Sequence, residues 1–288
     1  MITLSSNKYI EQLKSLWKLS FPDDSDAFIN FYFDNVYEDD ETVVVIKDDK
    51  VVSSLQIIPY PIKIGANINL AGYISGAMTH PDYRKQGLMR ELLYAAFDIM
   101  KDKGYTHSFL IPQEEWLFDY YREFGYEKAF PINQSIVVDE PKMSTIYPNI
   151  LRDRTIKVCA SINEVDIDDF YMVYYRFLLE KDNAVLKNKQ HIKNILGDLF
   201  NAGGALFYND WGVAFTCVDN NSADICELFF HDDEIKNDFL CSIYQYYPQR
   251  EIIYYNNPNA PFLKYKGMLK SLSGDTAETS IYMSMMLD

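Results

Sequence analysis

The chain has 288 residues, a formal net charge of −15, and 48% hydrophobic and 24% charged residues. This acidic balance argues against a nucleic-acid partner, because phosphate contacts need clustered Lys and Arg, and it favours a small cationic one. The length suits two ordinary domains. No run approaches the ~20 apolar residues that span a bilayer, so we expect no membrane partner.

Processing signals and metal-ligand spacings are both missing from the sequence. The start, MITLSSNKYIEQ, has no basic region followed by an apolar stretch, which predicts no secretory signal and a cytoplasmic protein. The four cysteines form no C-x-x-C pair, so we expect reduced thiols. The four histidines show no ligand spacing, so we expect no metal.

The first part of the chain predicts two helices and an antiparallel meander. Phe21-Pro22-Asp23-Asp24 separates the helices, and Asp48-Asp49-Lys50 is typical of a hairpin turn. Apolar spacing predicts strand Met1–Leu4, helices Lys8–Leu19 and Ala27–Val36, and strands Thr42–Lys47 and Val51–Ile64.

A β-α-β unit follows. Strand Tyr73–Met78 leads through a short basic turn into an amphipathic helix that runs from Leu88 to Gly104, and strand Thr106–Ile111 comes next. The crossover should be right-handed, with the two strands parallel. A helix over Glu114–Glu123 and a strand from Tyr126 complete this half.

The basic turn of this unit is suited to phosphate. Arg84, Lys85 and Gln86 arrive where a helix leaves its first amides unpaired and where its dipole is positive. Gly87 has no side chain to hold a phosphate away from those amides. Arg84, Lys85 and Arg90 could add charge, or they could simply be solvated surface residues.

The second half has a similar order of elements without this turn. Residues Asp139–Arg154 read as a linker, and Phe230-His231-Asp232-Asp233 stands where a basic turn would be, so we expect no second phosphate site. The predicted elements are helices Val165–Leu179, His191–Phe200 and Asp233–Tyr246, and strands Ala205–Tyr208, Gly212–Val218, Ala223–Phe230 and Glu251–Tyr255.

These residues together resemble the GCN5-related N-acetyltransferase (GNAT) superfamily. The family's turn, Arg/Gln-x-x-Gly-x-Gly/Ala, corresponds to the run from Arg84 to Met89, in which Met89 departs from the last position. A Tyr-x-x-Phe-Gly-Tyr run from Tyr121 follows at the right distance. The chain is also similar to the Eis-like tandem acetyltransferases, without their sterol-carrier-like domain.

The resemblance implies an α/β (α+β) fold of tandem GNAT-like domains, each a mixed, mostly antiparallel twisted sheet flanked by helices. It places a catalytic domain at 1–138, a linker at 139–154 and a degenerate second domain at 155–288. The apolar run Ile281–Asp288 is expected to be a C-terminal strand that reaches toward the cleft of the first domain.

The resemblance also implies site residues and a co-substrate, acetyl-coenzyme A (acetyl-CoA). Trp116 and Phe118 could line the acceptor pocket, or, at their helical spacing, they could be core residues. Tyr121 matches the family's acid. No carboxylate lies in Tyr73–Thr79, so the terminal residue Asp288 is the predicted base, as in the Eis-like group. The residues expected to bind acetyl-CoA are Ala77, Met78, Thr79, Arg84, Lys85, Gln86, Gly87, Leu88, Met89 and Arg90.

The predicted function is N-acetyl transfer from acetyl-CoA to a primary amine of a small cationic acceptor by direct attack. Two alternatives stay open: a non-catalytic acyl-CoA-binding or protein-interaction module, and an aminoacyl transferase that uses aminoacyl-tRNA. The sequence leaves the acceptor, the acyl chain and homo-oligomerisation undetermined.

Overall fold

The structure of the chain, a computed structural model, describes residues 1–140, 154–219, 221–255, 259–274 and 280–286. The described residues form helices and strands in both halves of the chain. Up to residue 137 they are β1 Ile2–Leu4, α1 Ile10–Ser20, α2 Asp26–Asn35, β2 Thr42–Lys47, β3 Lys50–Ile64, β4 Asn67–Thr79, α3 Leu88–Asp102, β5 His107–Leu110, α4 Glu115–Arg122, β6 Glu127–Asn133 and β7 Ile136–Val137. They continue as β8 Lys157–Cys159, α5 Ile167–Leu179, β9 Asn183–Val185, α6 Lys189–Asn201, β10 Ala205–Asn209, β11 Gly212–Val218, β12 Ser222–Phe230, α7 Asp233–Tyr246, β13 Glu251–Tyr254 and β14 Phe262–Ser271.

The chain divides into two compact units that interleave along the sequence. The first consists of Met1–Phe130 and Tyr265–Ile281, and the second of Pro131–Lys264 and Tyr282–Leu287. The bounds expected from the sequence, 1–138 and 155–288, differ because the stretch from Tyr265 to Ile281 packs with the first unit.

The sheet of the first unit has the order β1-β2-β3-β4-β5-β14-β6. Its strands are antiparallel from β1 to β4, β4 and β5 are parallel, and β14 runs antiparallel to β5. The predicted parallel pair across α3 is therefore present. The strand β14, which the sequence pattern did not indicate, enters between β5 and β6 from the far end of the chain.

Helices cover both faces of this sheet. On one face α3 and α4 bury a large apolar cluster that includes Leu92, Phe97 and Tyr126. On the other face α1 and α2 pack their buried side chains, among them Trp17 and Tyr32, against β3 and β4. Burial of these side chains is the main source of stability for the unit.

The second unit has its own sheet, in the order β7-β13-β12-β11-β10-β8. Here β12 and β13 are parallel and the other pairs are antiparallel. One face packs against α5 and α6, and the other against α7. Both sheets are thus mixed and mostly antiparallel with flanking helices, and the predicted fold class is confirmed.

The predicted C-terminal strand is wrong for the described residues 280–286. Tyr282 forms only an isolated bridge, to Ala184, and no longer strand follows it there. Instead the buried carboxylate of Glu227 accepts hydrogen bonds from the hydroxyls of Tyr282, at 2.6 Å, and Ser284, at 2.5 Å. Asp288, the predicted base, lies outside the described residues.

Candidate active site

A cavity opens where the parallel strands β4 and β5 stop pairing. Their pairing runs from Ala71 with His107 to Ile74 with Leu110. Past this point the next residues of β4, 75–77, and those after β5, 111–113, line a cavity of about 200 Å³. Residues from the α1–α2 region and from α4 complete its wall. The end of a parallel pair in a sheet is a common place for a ligand.

A β-bulge shapes the β4 wall of the cavity. The register between β3 and β4 shifts between Ser54 and Gln56, opposite Gly76 and Ala77. Gly76 has a φ of +54°, and a Cβ there would lie 2.8 Å from a ring carbon of Trp17, so only glycine suits the position. The bulge leaves backbone groups of Gly76 and Ala77 next to the cavity, where they can bond a ligand.

The basic turn between β4 and α3 has the geometry of an anion site. Lys85 and Gly87 both have left-handed backbones, with φ of +60° and +81°, and no side chain caps α3 at Gly87. Successive amides in such a conformation form a concave nest at the positive end of the helix. The predicted phosphate turn therefore has open amides at Lys85 to Leu88.

The side chains of this turn have mixed roles. Arg84 donates from Nε to the carbonyl of Thr79 at 3.1 Å, which ties the turn to the end of β4. Gln86 accepts from Lys47 at 3.0 Å. Arg90 pairs with Glu123 at 3.0 Å, and both side chains are more than half exposed. Arg90 is thus held on the surface by the residue that follows α4.

The apolar residues of the turn explain the departure from the family pattern. Leu88 is buried in the core under α3, and Met89 packs against the same core. Met78 is also buried, at 4% exposure. Because the partly buried side chain of Met89 packs against this core, a residue larger than Gly or Ala is accommodated at this position of the turn.

Tyr121 lies in the wall of the cavity on α4. Its side chain is 7% exposed, and no described residue hydrogen-bonds to its hydroxyl. Burial raises the pKa of Tyr121 well above its ordinary value, with a smaller effect from Tyr120, so the hydroxyl stays protonated and can donate. The fully buried Tyr126 differs, because its hydroxyl is bonded to Ser108 at 2.6 Å.

The two predicted acceptor-pocket residues do not line this cavity. Trp116 is 65% exposed on the surface of α4, and Phe118 is buried in the core with Lys128 above its ring at 4.8 Å. Leu117, which lies between them, faces the cavity instead. The reason is helical phase, since Leu117 and Tyr121 are four residues apart and share a face.

The structure adds a carboxylate that the sequence reasoning missed. Asp24, in the segment between α1 and α2, lines the cavity together with Trp17 and Phe21. The indole of Trp17 donates to Oδ2 of Asp24 at 2.7 Å, and among the described residues no Lys or Arg pairs with this carboxylate. The signal in the sequence was the break Phe21-Pro22-Asp23-Asp24, which fixes acids at a helix junction.

The described residues show neither a metal site nor a membrane-spanning helix. They contain no group of three or more His, Cys, Asp or Glu side chains placed to hold a metal ion. Nor does any helix in these parts of the chain have the length and hydropathy needed to cross a bilayer.

The protein thus has an α+β fold. A turn with open amides, suited to an anion, precedes α3, and a cavity lies where the parallel strands β4 and β5 separate. Residues 2–129 match the family model described as "Acetyltransferase (GNAT) domain". The N-terminal part of the chain is therefore a GNAT domain, and the resemblance drawn from the turn Arg84 to Met89 is confirmed. Among curated proteins, no sequence matches the chain significantly.

Solved structures show the same fold over both units. A GCN5-related N-acetyltransferase from Anabaena variabilis is 16% identical, with a TM-score of 0.74 over 94% of this chain and 72% of that one. A probable N-acyltransferase from Enterococcus faecalis is 13% identical, with a TM-score of 0.68 over 94% and 72%. Eis1 from Mycobacterium abscessus is 12% identical, with a TM-score of 0.68 over 94% and 74%. At these identities the likeness concerns the fold.

Proposed function

We propose that the protein moves an acetyl group from acetyl-CoA to the primary amine of a small cationic acceptor by direct attack. The observation that carries this proposal is one cavity whose wall contains the bulge at Gly76, the donor hydroxyl of Tyr121 and the carboxylate of Asp24. These are the three kinds of group that acyl transfer to an ammonium substrate requires.

The turn from Arg84 to Met89 is the proposed site for the pyrophosphate of acetyl-CoA. Each amide that donates to a phosphate oxygen adds roughly 1.5 to 3 kcal/mol as a charge-assisted hydrogen bond. The thioester arm would follow Ala77, Met78 and Thr79 from this turn toward the bulge. Thr79 contributes backbone groups only, because its hydroxyl is bonded to Ser53 at 2.8 Å.

Asp24 is the proposed contact for the acceptor. An amine is mostly protonated at neutral pH, since its pKa is ~10.4, and it must lose a proton before it attacks. The carboxylate of Asp24 attracts the ammonium ion while the rings of Trp17 and Phe21 contact its carbon chain. Oδ2 is held by the indole, which leaves Oδ1 to take the proton or to pass it to water.

Tyr121 is the proposed donor to the departing sulfur. Because burial raises its pKa above that of a thiol (~8.5), the hydroxyl acts first as a hydrogen-bond donor that stabilises the thiolate of coenzyme A. Backbone groups of the bulge stand on the β4 side, where negative charge on the carbonyl oxygen would develop.

The substitution Tyr121→Phe tests this donor. We expect kcat to fall by about 10² to 10³, the usual cost of removing one hydrogen-bond donor to developing negative charge, while the dissociation constant of acetyl-CoA stays within about two-fold. Tyr120→Phe is the matched control, because Tyr120 is its half-buried neighbour on the same helix and does not line the cavity.

Turnover itself is measured by coenzyme A release across polyamines, aminoglycosides, amino acids and peptides. If the wild-type protein binds acetyl-CoA but releases no coenzyme A with any of these amines, the non-catalytic module is favoured. A stoichiometric complex with aminoacyl-tRNA would favour the aminoacyl transferase.

Asp24→Asn tests acceptor binding. Asparagine keeps an oxygen for the indole of Trp17 but loses the charge, so the KM of a cationic amine should rise about 10- to 100-fold, while the KM of acetyl-CoA does not change. The adjacent Asp23→Asn is the control, because Asp23 is exposed and is not part of the cavity wall. Equal effects in both variants would contradict the proposed contact.

Asp288 stays a proposal as the base. Appending a few residues after Asp288 should abolish acetylation and leave acetyl-CoA binding intact if its terminal carboxylate takes the proton. Full activity in the extended protein, combined with an altered pH dependence of kcat in Asp24→Asn, would assign that role to Asp24 instead.

A further inference from the structure

Two cysteines of the second unit lie side by side on neighbouring strands. Cys217 is on β11 and Cys226 is on β12, and these strands are antiparallel. The register pairs Thr216 with Ile225 and Phe215 with Glu227, so Cys226 is the extra residue of a bulge. Both side chains are partly exposed and pack on the same face of the sheet.

Because the two side chains lie on the same face next to the bulge, the two thiols are neighbours and influence each other's ionisation. Cys226 also donates to the carbonyl of Asp224 at 3.5 Å. The neighbouring thiol of Cys226 lowers the pKa of Cys217, and the pKa of Cys226 is raised in return, mainly by Cys217 and by burial. Cys217 is therefore the thiol of the pair that ionises more easily, and it has a second thiol next to it.

We propose that Cys217 and Cys226 form a redox modification site that closes to an intramolecular disulfide on reaction with a hydroperoxide. The site belongs to the second unit and is independent of acetyl transfer.

The reaction balances in two steps. The Cys217 thiolate attacks one oxygen of hydrogen peroxide, the O–O bond breaks, and the products are a sulfenic acid on Cys217 and hydroxide, which takes up a proton as water. The sulfur of Cys226 then attacks the sulfenic sulfur, an S–S bond forms, and a second water leaves with the thiol proton. Two thiols are oxidised and one peroxide is reduced, and a dithiol reverses the change by exchange.

The other two cysteines lack this arrangement and serve as internal references. Cys159 is 3% exposed and donates to the carbonyl of Glu164 at 3.4 Å. Cys241 is partly exposed on α7 and accepts from Asn237 at 3.8 Å. Burial raises the pKa of both thiols, so they should react more slowly.

Trypsin leaves Cys217 and Cys226 in one peptide and places Cys159 and Cys241 in two others. No Lys or Arg lies between Lys193 and Lys236, so a single peptide, 194–236, carries both Cys217 and Cys226. Cys159 and Cys241 fall in the peptides 158–176 and 237–250. An internal disulfide therefore appears as the loss of two hydrogen atoms from the first peptide, with no cross-linked partner.

The experiment treats the whole wild-type protein with increasing hydrogen peroxide, blocks free thiols by alkylation, and maps the peptides by mass spectrometry. We expect peptide 194–236 to become resistant to alkylation at about ten-fold lower peroxide than the Cys241 peptide, and dithiothreitol to restore both thiols. In Cys226→Ser, Cys217 should instead give a sulfenic acid that dimedone traps. In Cys241→Ser the disulfide should form as in wild type.

The inference is overturned if the two thiols of peptide 194–236 stay alkylatable when Cys241 has been oxidised. It is equally overturned if the oxidised protein carries links to Cys159 or Cys241, or between chains, in place of the internal one. The wild-type measurement alone decides this, whether or not the variants fold.

Discussion

The helices α3 and α7 begin at corresponding places in two β-α-β units, yet only α3 has an open start. In both units the strand before the helix is parallel to the strand after it. Gly87 leaves the amides of α3 without a side-chain cap, whereas Asp232 accepts from the amide of Ile235 at 2.9 Å and closes α7. The second unit thus supplies its own anion where the first can accept one from a ligand.

The residues around the two helix starts reinforce this difference. The first turn of α7 carries Asp233 and Glu234, and Arg154 pairs with Glu234 at 2.8 Å. In the corresponding turn before α3, the residue is the basic Lys85. If the turn before α3 binds acetyl-CoA as proposed, the shared scaffold is not sufficient for donor binding, and the charge and backbone conformation of one short turn make the difference.

Closing the start of α3 with an acid should produce the largest change. Gly87→Asp places a carboxylate at the proposed pyrophosphate site, and a Cβ there meets no atom within 4 Å, so the fold has room for it. Repulsion and the loss of open amides should raise the dissociation constant of acetyl-CoA about 100-fold, or about 2.7 kcal/mol, measured by calorimetry.

Gly104→Asp is a control matched in backbone strain and space. Gly104 has a φ of +79°, close to the +81° of Gly87, and it also has nothing within 4 Å of a Cβ, but it lies beyond the other end of α3. Gly87→Asn separates charge from strain. The same loss of affinity in Gly104→Asp would contradict a donor site at Gly87.

The parts of the site that could be predicted from the sequence have local causes. The strand, the basic turn and the amphipathic α3 follow from side-chain period and turn chemistry within one stretch of chain. The start of α3 at Leu88 and its left-handed cap at Gly87 need no distant partner. The position of Tyr121 in the cavity wall also agrees with its place after the β-α-β unit.

The missed parts depend on long-range contacts. Asp24 reaches the cavity because Trp17 packs against Gly76, a contact between residues far apart in the sequence. The strand β14 contains three lysines and a glycine, so its pattern is weak, and it is stabilised by pairing with β5. The four-residue spacing of Leu117 and Tyr121 is visible in the sequence, however. It predicts that Leu117 lines the cavity, in place of Trp116 and Phe118.

The helix α6 sharpens the comparison, because a titratable residue helps to close its start. Asn188 accepts from the amide of His191 at 2.8 Å, and the ring of His191 accepts from the amide of Asn188 at 3.3 Å. Burial, helped by the charge of Lys187, lowers the pKa of His191 from 6.5 to about 4. The folded protein keeps this ring neutral, so the unfolded chain binds the extra proton below pH 6.5.

Stability should therefore fall as the pH drops from 6.5 toward 4, and His191→Gln should remove part of this fall. Glutamine can complete the same capping box without titrating. In urea unfolding we expect the variant to gain about 2 kcal/mol over wild type between pH 7.5 and 4.5, since opening of the first turn limits the full effect. The exposed His231→Gln is the control, and an unchanged pH profile in His191→Gln would contradict this account.

The smallest expected effect comes from the reverse change in α7, in which the N-cap provided by Asp232 is removed. Asp232→Ala removes the cap on Ile235 and should lower the free energy of unfolding by about 1 kcal/mol near pH 7. The hydrogen bond from Ile235 is the main reason that the pKa of Asp232 is lowered. The stabilisation is thus present above the carboxyl's ordinary pKa of 3.8 and is lost as the pH falls through the lowered one, where the variant and wild type should converge.

Asp233→Ala is the control in the same turn, because Asp233 is exposed and its neighbour Asp232 is the cap. The decisive measurement is the number of acetyl-CoA molecules bound by Asp232→Ala, which should equal that of wild type. We expect no second molecule because an uncapped α7 still has acidic residues in its first turn. The turn before α7 also has no counterpart of the left-handed residues Lys85 and Gly87, which curve the amides before α3 around an anion. A second acetyl-CoA bound to this variant would mean that an uncapped helix start suffices, and that the turn before α3 is not what distinguishes the two units.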